Sequence, residues 1–361
     1  MHIHTGGEIM KKRMLGRTGL EVSIMGMGGI PIRRCSDEDG IRLYQYAMDK
    51  GINYFDAAKG YKDCQTRLGP AVKGRREQAV IASKDTSRDA EGILAAIDES
   101  LRILDTDYID IFKLHGVCQF DDLEQRTAPG GALDGLIKAR EQGKIRFIGL
   151  SGHNADVLQQ AVETDVFDVI LVIFNYMNTA PAETLFDACD KHGVGVTVMK
   201  PLGGSVLAQH ADLALRWVLQ HEQVSTVCAG MWRQWEVDAN VRLAEEFRPL
   251  DEAEMQVIED QRQMRDKMFC RLCYRHHKCP NGINLDNLMI ADLCYTRFGL
   301  EAMMGTGWGE QVEAAAQCLD CDITDECRAS CPHGVDIPRY MRHVYVTYMP
   351  VIEQYRKTHA G

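Results

Sequence analysis

Short apolar, β-prone runs recur along the chain at 23–28, 53–58, 79–84, 108–115, 145–150, 169–175, 194–200 and 224–229. Between them the apolar positions change to a helical spacing, as in 36–50, 88–103, 131–142, 154–162, 180–192 and 208–220. The first pattern predicts buried strands and the second amphipathic helices. Strands that alternate with helices pair in parallel through crossovers, and eight such units in roughly 230 residues have the size of a closed (β/α)₈ barrel. The expected fold class is therefore α/β: a (β/α)₈ TIM barrel over 13–247, then a mainly helical, cysteine-rich domain over 248–361. A helix over 248–269 links the two, with Glu252, Glu254, Glu259 and Asp260 alternating with Met255, Val257 and Ile258. The connection 116–130, with Pro129-Gly130-Gly131, reads as a long loop that overhangs one end of the barrel.

In such a barrel the C-terminal strand ends carry the chemistry. Four polar residues fall there: Asp56 after Ile52-Asn53-Tyr54-Phe55, Tyr61 five residues on, Lys84 closing Ala79-Val80-Ile81-Ala82-Ser83, and His115 closing the run from Tyr108. A phenol is a weak acid, with a free pKa of ~10. A neighbouring cation stabilises the phenolate, and a carboxylate can hold that cation in place. This assigns Tyr61 as proton donor to a carbonyl oxygen, Lys84 as the tuning cation, Asp56 as its anchor and His115 as the group that orients the substrate oxygen. Singly, each has a plain structural explanation: a solvated lysine, an N-cap aspartate, a half-buried aromatic and a satisfied core histidine. Their joint occurrence on strands two, three and four carries the reading.

At these residues the chain resembles the aldo-keto reductase superfamily over about 13–247. The likeness also runs through Leu15-Gly16-Arg17-Thr18-Gly19-Leu20-Glu21-Val22-Ser23, Gly51-Ile52-Asn53-Tyr54-Phe55-Asp56-Ala57-Ala58, Ile145-Arg146-Phe147-Ile148-Gly149-Leu150-Ser151 and Lys200-Pro201-Leu202-Gly203-Gly204. The resemblance implies a catalytic tetrad of Asp56, Tyr61, Lys84 and His115, and a nicotinamide cofactor across the barrel mouth. It also implies that Ser151 and Asn175 hold the nicotinamide carboxamide, although Gln is more usual at the second position. Met199 stands where an aromatic residue often stacks on the ring, with Lys200 next to it. The glycines of Leu202-Gly203-Gly204-Ser205 allow a pyrophosphate close to the backbone. Asn240 resembles the family's adenine-contacting asparagine. Arg233 is the basic residue available for a 2′-phosphate, but the usual basic pattern is altered, so NADP and NAD both stay open. No G-x-G-x-x-G follows a strand and opens a helix, so a Rossmann site is not indicated.

The C-terminal region repeats one pattern. Cys270-x2-Cys273-x5-Cys279-Pro280 precedes Cys318-x2-Cys321-x5-Cys327-x3-Cys331-Pro332, and each copy ends in Cys-Pro-x-Gly followed by Ile283 or Val335. The bacterial ferredoxin run is Cys-x2-Cys-x2-Cys-x3-Cys-Pro, its fourth cysteine crossing to the other cluster. Thiolates favour soft metals and Fe–S clusters, and the prolines favour a cluster over a zinc ribbon. This predicts a ferredoxin-like domain with one or two 4Fe-4S clusters. A crossed arrangement gives Cys279, Cys318, Cys321 and Cys327 to one cluster, and Cys270, Cys273 and Cys331 to the other. The second set needs an eighth ligand, either His276 or Cys294, or else that site is degenerate. The region also resembles the ferredoxin-like extension of one subgroup of bacterial and archaeal aldo-keto reductases.

Composition narrows the function classes. Thirteen cysteines could mark an oxidised secreted chain, but the odd count and the ferredoxin spacing argue for a reducing, cytoplasmic setting. Neither a signal peptide nor a membrane-spanning apolar stretch is visible. The net charge of −11 offers no general attraction to nucleic acid. The expected activity is NAD(P)-dependent interconversion of a small aldehyde or ketone and its alcohol. The alternative is a nicotinamide-binding redox sensor or regulator with little turnover. A redox partner protein for the cluster stays open, and hydride chemistry does not require one.

Overall fold

The computed structural model describes residues 10–61, 63–275, 279–285, 288, 291, 295, 299–301, 303–304 and 308–359. The chain separates into two compact units. The first runs to Pro201 and resumes at His210–Asp251; the second takes Leu202–Gln209 and the chain from Glu252 onward.

In the first unit, β1 (Lys12–Met14) and β2 (Glu21–Ser23) form an antiparallel hairpin. Eight strands follow: β3 (Met25–Gly28), β4 (Tyr54–Asp56), β5 (Val80–Asp85), β6 (Ile109–Leu114), β7 (Ile145–Gly152), β8 (Val169–Ile173), β9 (Gly195–Met199) and β10 (Val224–Gly230). They close into a parallel barrel in chain order, β10 returning to β3. Strands of this kind are covered on both faces and read as continuous apolar runs; β8, Val169-Ile170-Leu171-Val172-Ile173, is buried throughout.

Two local differences from the sequence expectation have visible causes, and one expected helix takes its place between β4 and β5. The run at 23–28 divides between β2 and β3, because Ser23 turns inward to bond Asn53 and the carbonyl of Met25. The connection 116–130 is not all loop: Phe120–Thr127 is a helix, with Asp121 and Asp122 in its first turn and Arg126 bonded back to Asp122 at 2.9 Å. A helix at Cys64–Val72, which contains Gly69 and Pro70, fills the gap between β4 and β5.

The hairpin lies against the start of β10. The Arg13 guanidinium donates to the carbonyls of Leu219, His221 and Val224 at 2.8, 3.2 and 2.6 Å. Its turn needs Gly16, which has φ +50° and whose added Cβ would lie 2.3 Å from the Gly195 nitrogen.

The second unit contains helices at Glu252–Arg265, Trp308–Ala314, Thr324–Ser330 and Ile337–His359. The two sequence repeats make the same turn. The N–H of Gly282 bonds the carbonyl of Cys279, and that of Gly334 the carbonyl of Cys331, both at 3.0 Å. Both glycines are left-handed, with φ +74° and +69°, a conformation open to glycine at no steric cost. Each turn then delivers its following apolar residue, Ile283 or Val335, into one core with Leu288, Val312, Met341 and Ile352. No helix among the described residues is long and apolar enough to cross a membrane.

Gly16→Ala should lower the unfolding free energy by more than the about 1–2 kcal/mol that left-handed backbone costs an L-residue, because the clash with Gly195 adds to it. Thermal unfolding followed by circular dichroism checks this; an unchanged midpoint would contradict the tight packing of the hairpin turn.

Candidate active site

Side chains along a strand alternate between faces, and this places the polar residues of β4, β5 and β6. Tyr54 and Asp56 share the inner face of β4, Val80, Ala82 and Lys84 that of β5, and Ile111 and Lys113 that of β6. Tyr54, Val80, Ala82 and Ile111 belong to one packed cluster with Val169, Leu171 and Cys228. Above this apolar layer the inner face turns charged. Lys84 Nζ lies 2.5 Å from Asp56 Oδ2 and 2.7 Å from the Ala57 carbonyl oxygen. Lys113 Nζ lies 2.7 Å from Asp56 Oδ1 and donates to Tyr54 Oη at 3.1 Å. All three charged groups are buried.

Tyr61 and His115 stand over this triad, both half-buried. Tyr61 ends a short 3₁₀ turn, Lys59–Tyr61, after β4. His115 follows β6, its N–H bonded to the carbonyl of Asp85 at 2.9 Å. Their rings meet edge to face, centroids 5.8 Å apart, and Lys84 Nζ is 4.7 Å from the Tyr61 ring centre. The structure thus brings Asp56, Tyr61, Lys84 and His115 together at one end of the barrel. Burial, then the Lys84 cation, holds His115 down to about 3, so its imidazole is neutral at physiological pH. Burial opposes ionisation of Asp56, but Lys113 and Lys84 outweigh it and keep the carboxyl below its ordinary range. Burial, with Lys113 adding to it, lowers Lys84 despite its bond to Asp56.

Lys113 and Tyr54 were missed by the sequence reading. The signal was present: in Ile109-Asp110-Ile111-Phe112-Lys113-Leu114-His115, alternation puts Lys113 on the face of Ile111 and His115. His153 was missed as well. It follows β7, and its Nε2 lies 2.9 Å from Lys200 Nζ. Burial, then Lys200, drives its imidazole well below the ordinary range, so Nε2 accepts from the ammonium.

The residues expected at the cofactor fall into four groups. Ser151 and Asn175 are buried at their strand ends with internal hydrogen bonds. Ser151 Oγ donates to the Leu114 carbonyl at 3.2 Å and accepts from Gly116 N–H at 3.1 Å. Asn175 Oδ1 accepts from Met177 and Asn178, and its amide donates to the carbonyl of Lys200 at 3.0 Å. Met199 and Lys200 lie half-exposed at the end of β9, Lys200 with φ +53°. Leu202 and Gly203 belong to the second unit, where an added Cβ on Gly203 would meet the Phe269 ring at 3.0 Å. Farther round, Arg233 and Asn240 border and occupy the helix Gln234–Glu245. Arg233 lines a cleft of about 700 Å³ with Arg34, Arg42, Tyr46 and Trp232, and its guanidinium lies 4.0 Å from the Trp232 ring centre.

Among the cysteines of the second unit, Cys318 has Cys279, Cys321 and Cys327 as electrostatic neighbours, and Cys273 has Cys331. Burial, then Cys279, Cys321 and Cys327, pushes the Cys318 thiol up to about 11. Cys273 is raised by burial, with Cys331 among its neighbours. Cys270 Sγ accepts from Leu272 N–H at 3.3 Å, and Cys321 Sγ from the Asn281 amide at 3.8 Å. Leu272 and Tyr274 adopt left-handed φ of 55° and 56°, a strained backbone for non-glycine residues. Among the described residues no group of three or more His, Cys, Asp or Glu is disposed to hold a metal ion. His276 and Cys294 lie outside the described residues.

A closed parallel barrel with a phenol, two ammonium groups, a carboxylate and an imidazole at one end defines a barrel enzyme of acid–base type. A profile of the aldo/keto reductase family matches residues 24–210, and the chain belongs to that oxidoreductase family. It is 27% identical to L-galactose dehydrogenase of Arabidopsis thaliana over 66% of this chain and 89% of that protein. It is 23% identical to pyridoxal 4-dehydrogenase of Microbacterium luteolum, over 60% and 81% respectively. The holo structure of an aldo-keto reductase from Bacillus halodurans superposes with a TM-score of 0.61 at 28% identity, covering 70% of this chain and 96% of that one.

Asp56→Asn should cost about 3–5 kcal/mol of stability, because two buried ammonium groups lose their counter-charge. Since the folded carboxyl sits below its unfolded value of ~3.9, its contribution is full above that value and is lost as pH falls through the folded one. Denaturant titrations of both proteins at neutral and acid pH test this: the gap between them should close on acidification.

Proposed function

We propose that this enzyme interconverts a small aldehyde or ketone and its alcohol with a nicotinamide dinucleotide. The observation that carries the reading is the half-buried phenol of Tyr61 beside the buried Lys84 cation, with neutral His115 against its edge. In the reduction direction Tyr61 gives its proton to the substrate oxygen. Lys84 favours the phenolate left behind, and Asp56 fixes Lys84. His115, being neutral, both accepts and donates hydrogen bonds, and it orients the oxygen without competing for the proton. In the oxidation direction the Tyr61 phenolate takes the proton back. A bound nicotinamide dinucleotide supplies or accepts the hydride.

Met199 and Lys200 would border the nicotinamide end. Ser151 and Asn175 stay at the strand ends a carboxamide would reach, although their internal bonds first fasten loops. Arg233 and Asn240 would hold the adenosine end. The cleft lined by Arg34, Arg42 and Arg233 suits the additional phosphate of NADP, and we favour NADP over NAD on that ground.

We further infer that the second unit is ferredoxin-like and takes at least one 4Fe-4S cluster, on Cys279, Cys318, Cys321 and Cys327. Support comes from the repeated cysteine spacing, from Cys279, Cys321 and Cys327 acting together on Cys318, and from the Asn281 amide bonded to Cys321 Sγ. Burial and neighbouring thiols make Cys318 and Cys327 resist ionisation, and iron would supply the positive charge that relieves them. Whether Cys270, Cys273 and Cys331 take a second cluster depends on His276 or Cys294.

Tyr61→Phe should leave binding of NADPH, followed by fluorescence, in place and lower reduction of a test aldehyde by about a hundredfold or more. Full single-turnover reduction by the variant would overturn the assignment, and tight NADPH binding with negligible turnover by the unaltered enzyme would favour a sensing role.

Anaerobically purified protein should contain about four or about eight iron atoms per chain with matching acid-labile sulfide. Cys318→Ser should remove about four of them. Iron-free protein that binds zinc instead would refute the cluster.

A further inference from the structure

The inner face of the barrel holds one carboxylate between two ammonium groups, and the proposed chemistry uses only Lys84. Lys84 and Lys113 are direct register partners on β5 and β6. Neighbouring strands lie only about 4.8 Å apart, and like charges placed directly opposite repel. Two fully buried lysines in that position are costly, so the second one needs an explanation beyond filling space. Methionine or leucine would fill the same space without a charge.

The triad is asymmetric. Asp56 gives Oδ1 to Lys113 at 2.7 Å and Oδ2 to Lys84 at 2.5 Å. An isolated Asp–Lys pair would be neutral; here two cations share one anion, and the group carries a net positive charge. The other titratable groups facing it do not cancel that charge. From β4, Tyr54 is held protonated by burial. From β10, Cys228 is likewise raised by burial. From the helix after β4, Cys64 is pushed up to about 11 by burial. His115, over the triad, is neutral, and Asp85 and Lys200 face it with opposite signs.

We propose that Lys113 is a positioning residue for Tyr61: by taking one oxygen of Asp56 it leaves Lys84 half-compensated and strengthens the positive field beneath the phenol. The proposal rests on the reading of Tyr61 as proton donor. Lys113 touches neither the phenol nor a substrate; it acts through Asp56 and Lys84. Its effect is directional, because a stronger field favours the phenolate. At neutral pH this increases the share of enzyme in the form that oxidises an alcohol, while leaving enough phenol to reduce a carbonyl.

The test compares the unaltered enzyme with Lys113→Met, Lys113→Gln, Tyr54→Phe and Tyr61→Phe. The probes are 4-nitrobenzaldehyde with NADPH and 4-nitrobenzyl alcohol with NADP⁺, followed from neutral to alkaline pH. In the unaltered enzyme reduction should fall along an alkaline limb as Tyr61 loses its proton. Loss of the Lys113 charge should move that limb up by about one pH unit, and the rise of alcohol oxidation with pH should move up with it. Tyr54→Phe keeps both cations and should leave the limb where it is. A limb that stays in place in Lys113→Met while both directions slow equally would reduce Lys113 to a structural residue and overturn the proposal. Lys113→Gln carries the same comparison if the methionine variant does not fold. Independently of both variants, ¹³C-tyrosine spectra of the unaltered protein, assigned by Tyr61→Phe, should show Tyr61 titrating below the free phenol value of ~10. Titration at or above that value overturns the proposal. Failure of the underlying reading is separate: it appears as undiminished reduction by Tyr61→Phe, whatever the Lys113 variants do.

Discussion

The Asp56 carboxylate, closed between Lys84 and Lys113, is the interaction on which the site depends. Moving an ionised group out of water costs several kcal/mol even after relaxation. The triad is tolerable only because each member has near-ideal partners, and because three adjacent strands hold them in register. Asp56 lies opposite Ala82, and Lys84 opposite Lys113. The small Ala82 side chain leaves room on the inner face for the two long lysines to converge.

The rest of the barrel keeps those three strands from shifting. Its lower interior is apolar, and its outer polar groups are paired. Asp110, on the opposite face of β6 from Lys113, accepts from Arg76 at 2.7 Å, Arg146 at 2.8 Å and the Ile81 N–H at 3.0 Å. Asp168 holds Arg17 at 3.1 Å and the N–H of Ile148 at 3.0 Å. Slipping one strand by a residue would put Asp110 inside and Lys113 outside, exchanging paired charges for unpaired ones. The charged residues therefore specify register as well as supplying chemistry.

The second unit follows a different logic. Its two Cys-Pro-x-Gly turns are the same structure used twice, and each feeds an apolar residue into one shared core. The turns fix where Cys279 and Cys331 stand, while Cys318 and Cys327 are themselves buried in that core. Folding of the apolar core therefore also sets the positions of these four cysteines.

Much of the barrel was legible in the chain, because a strand covered on both faces must be apolar along its length, and the helices between strands must be amphipathic. The ends of those runs marked Asp56, Lys84 and His115, since a polar residue closing a buried strand stands out against it. Lys113 did not stand out. It lies inside an apolar run, where one lysine reads as an interruption, and only closure of β4, β5 and β6 around one axis brings it to Asp56. The hairpin before the barrel was hidden for a similar reason: its strands are three residues each and depend on the distant contacts of Arg13. Ser151 and Asn175 show the converse. Sequence put them at strand ends, but their hydrogen-bond partners are the last carbonyl of β6 and groups of loops whose paths no local pattern specifies. Local periodicity determines which residues are inside; which charges meet there is decided by the closed sheet, because only closure fixes the distances over which Coulomb forces act.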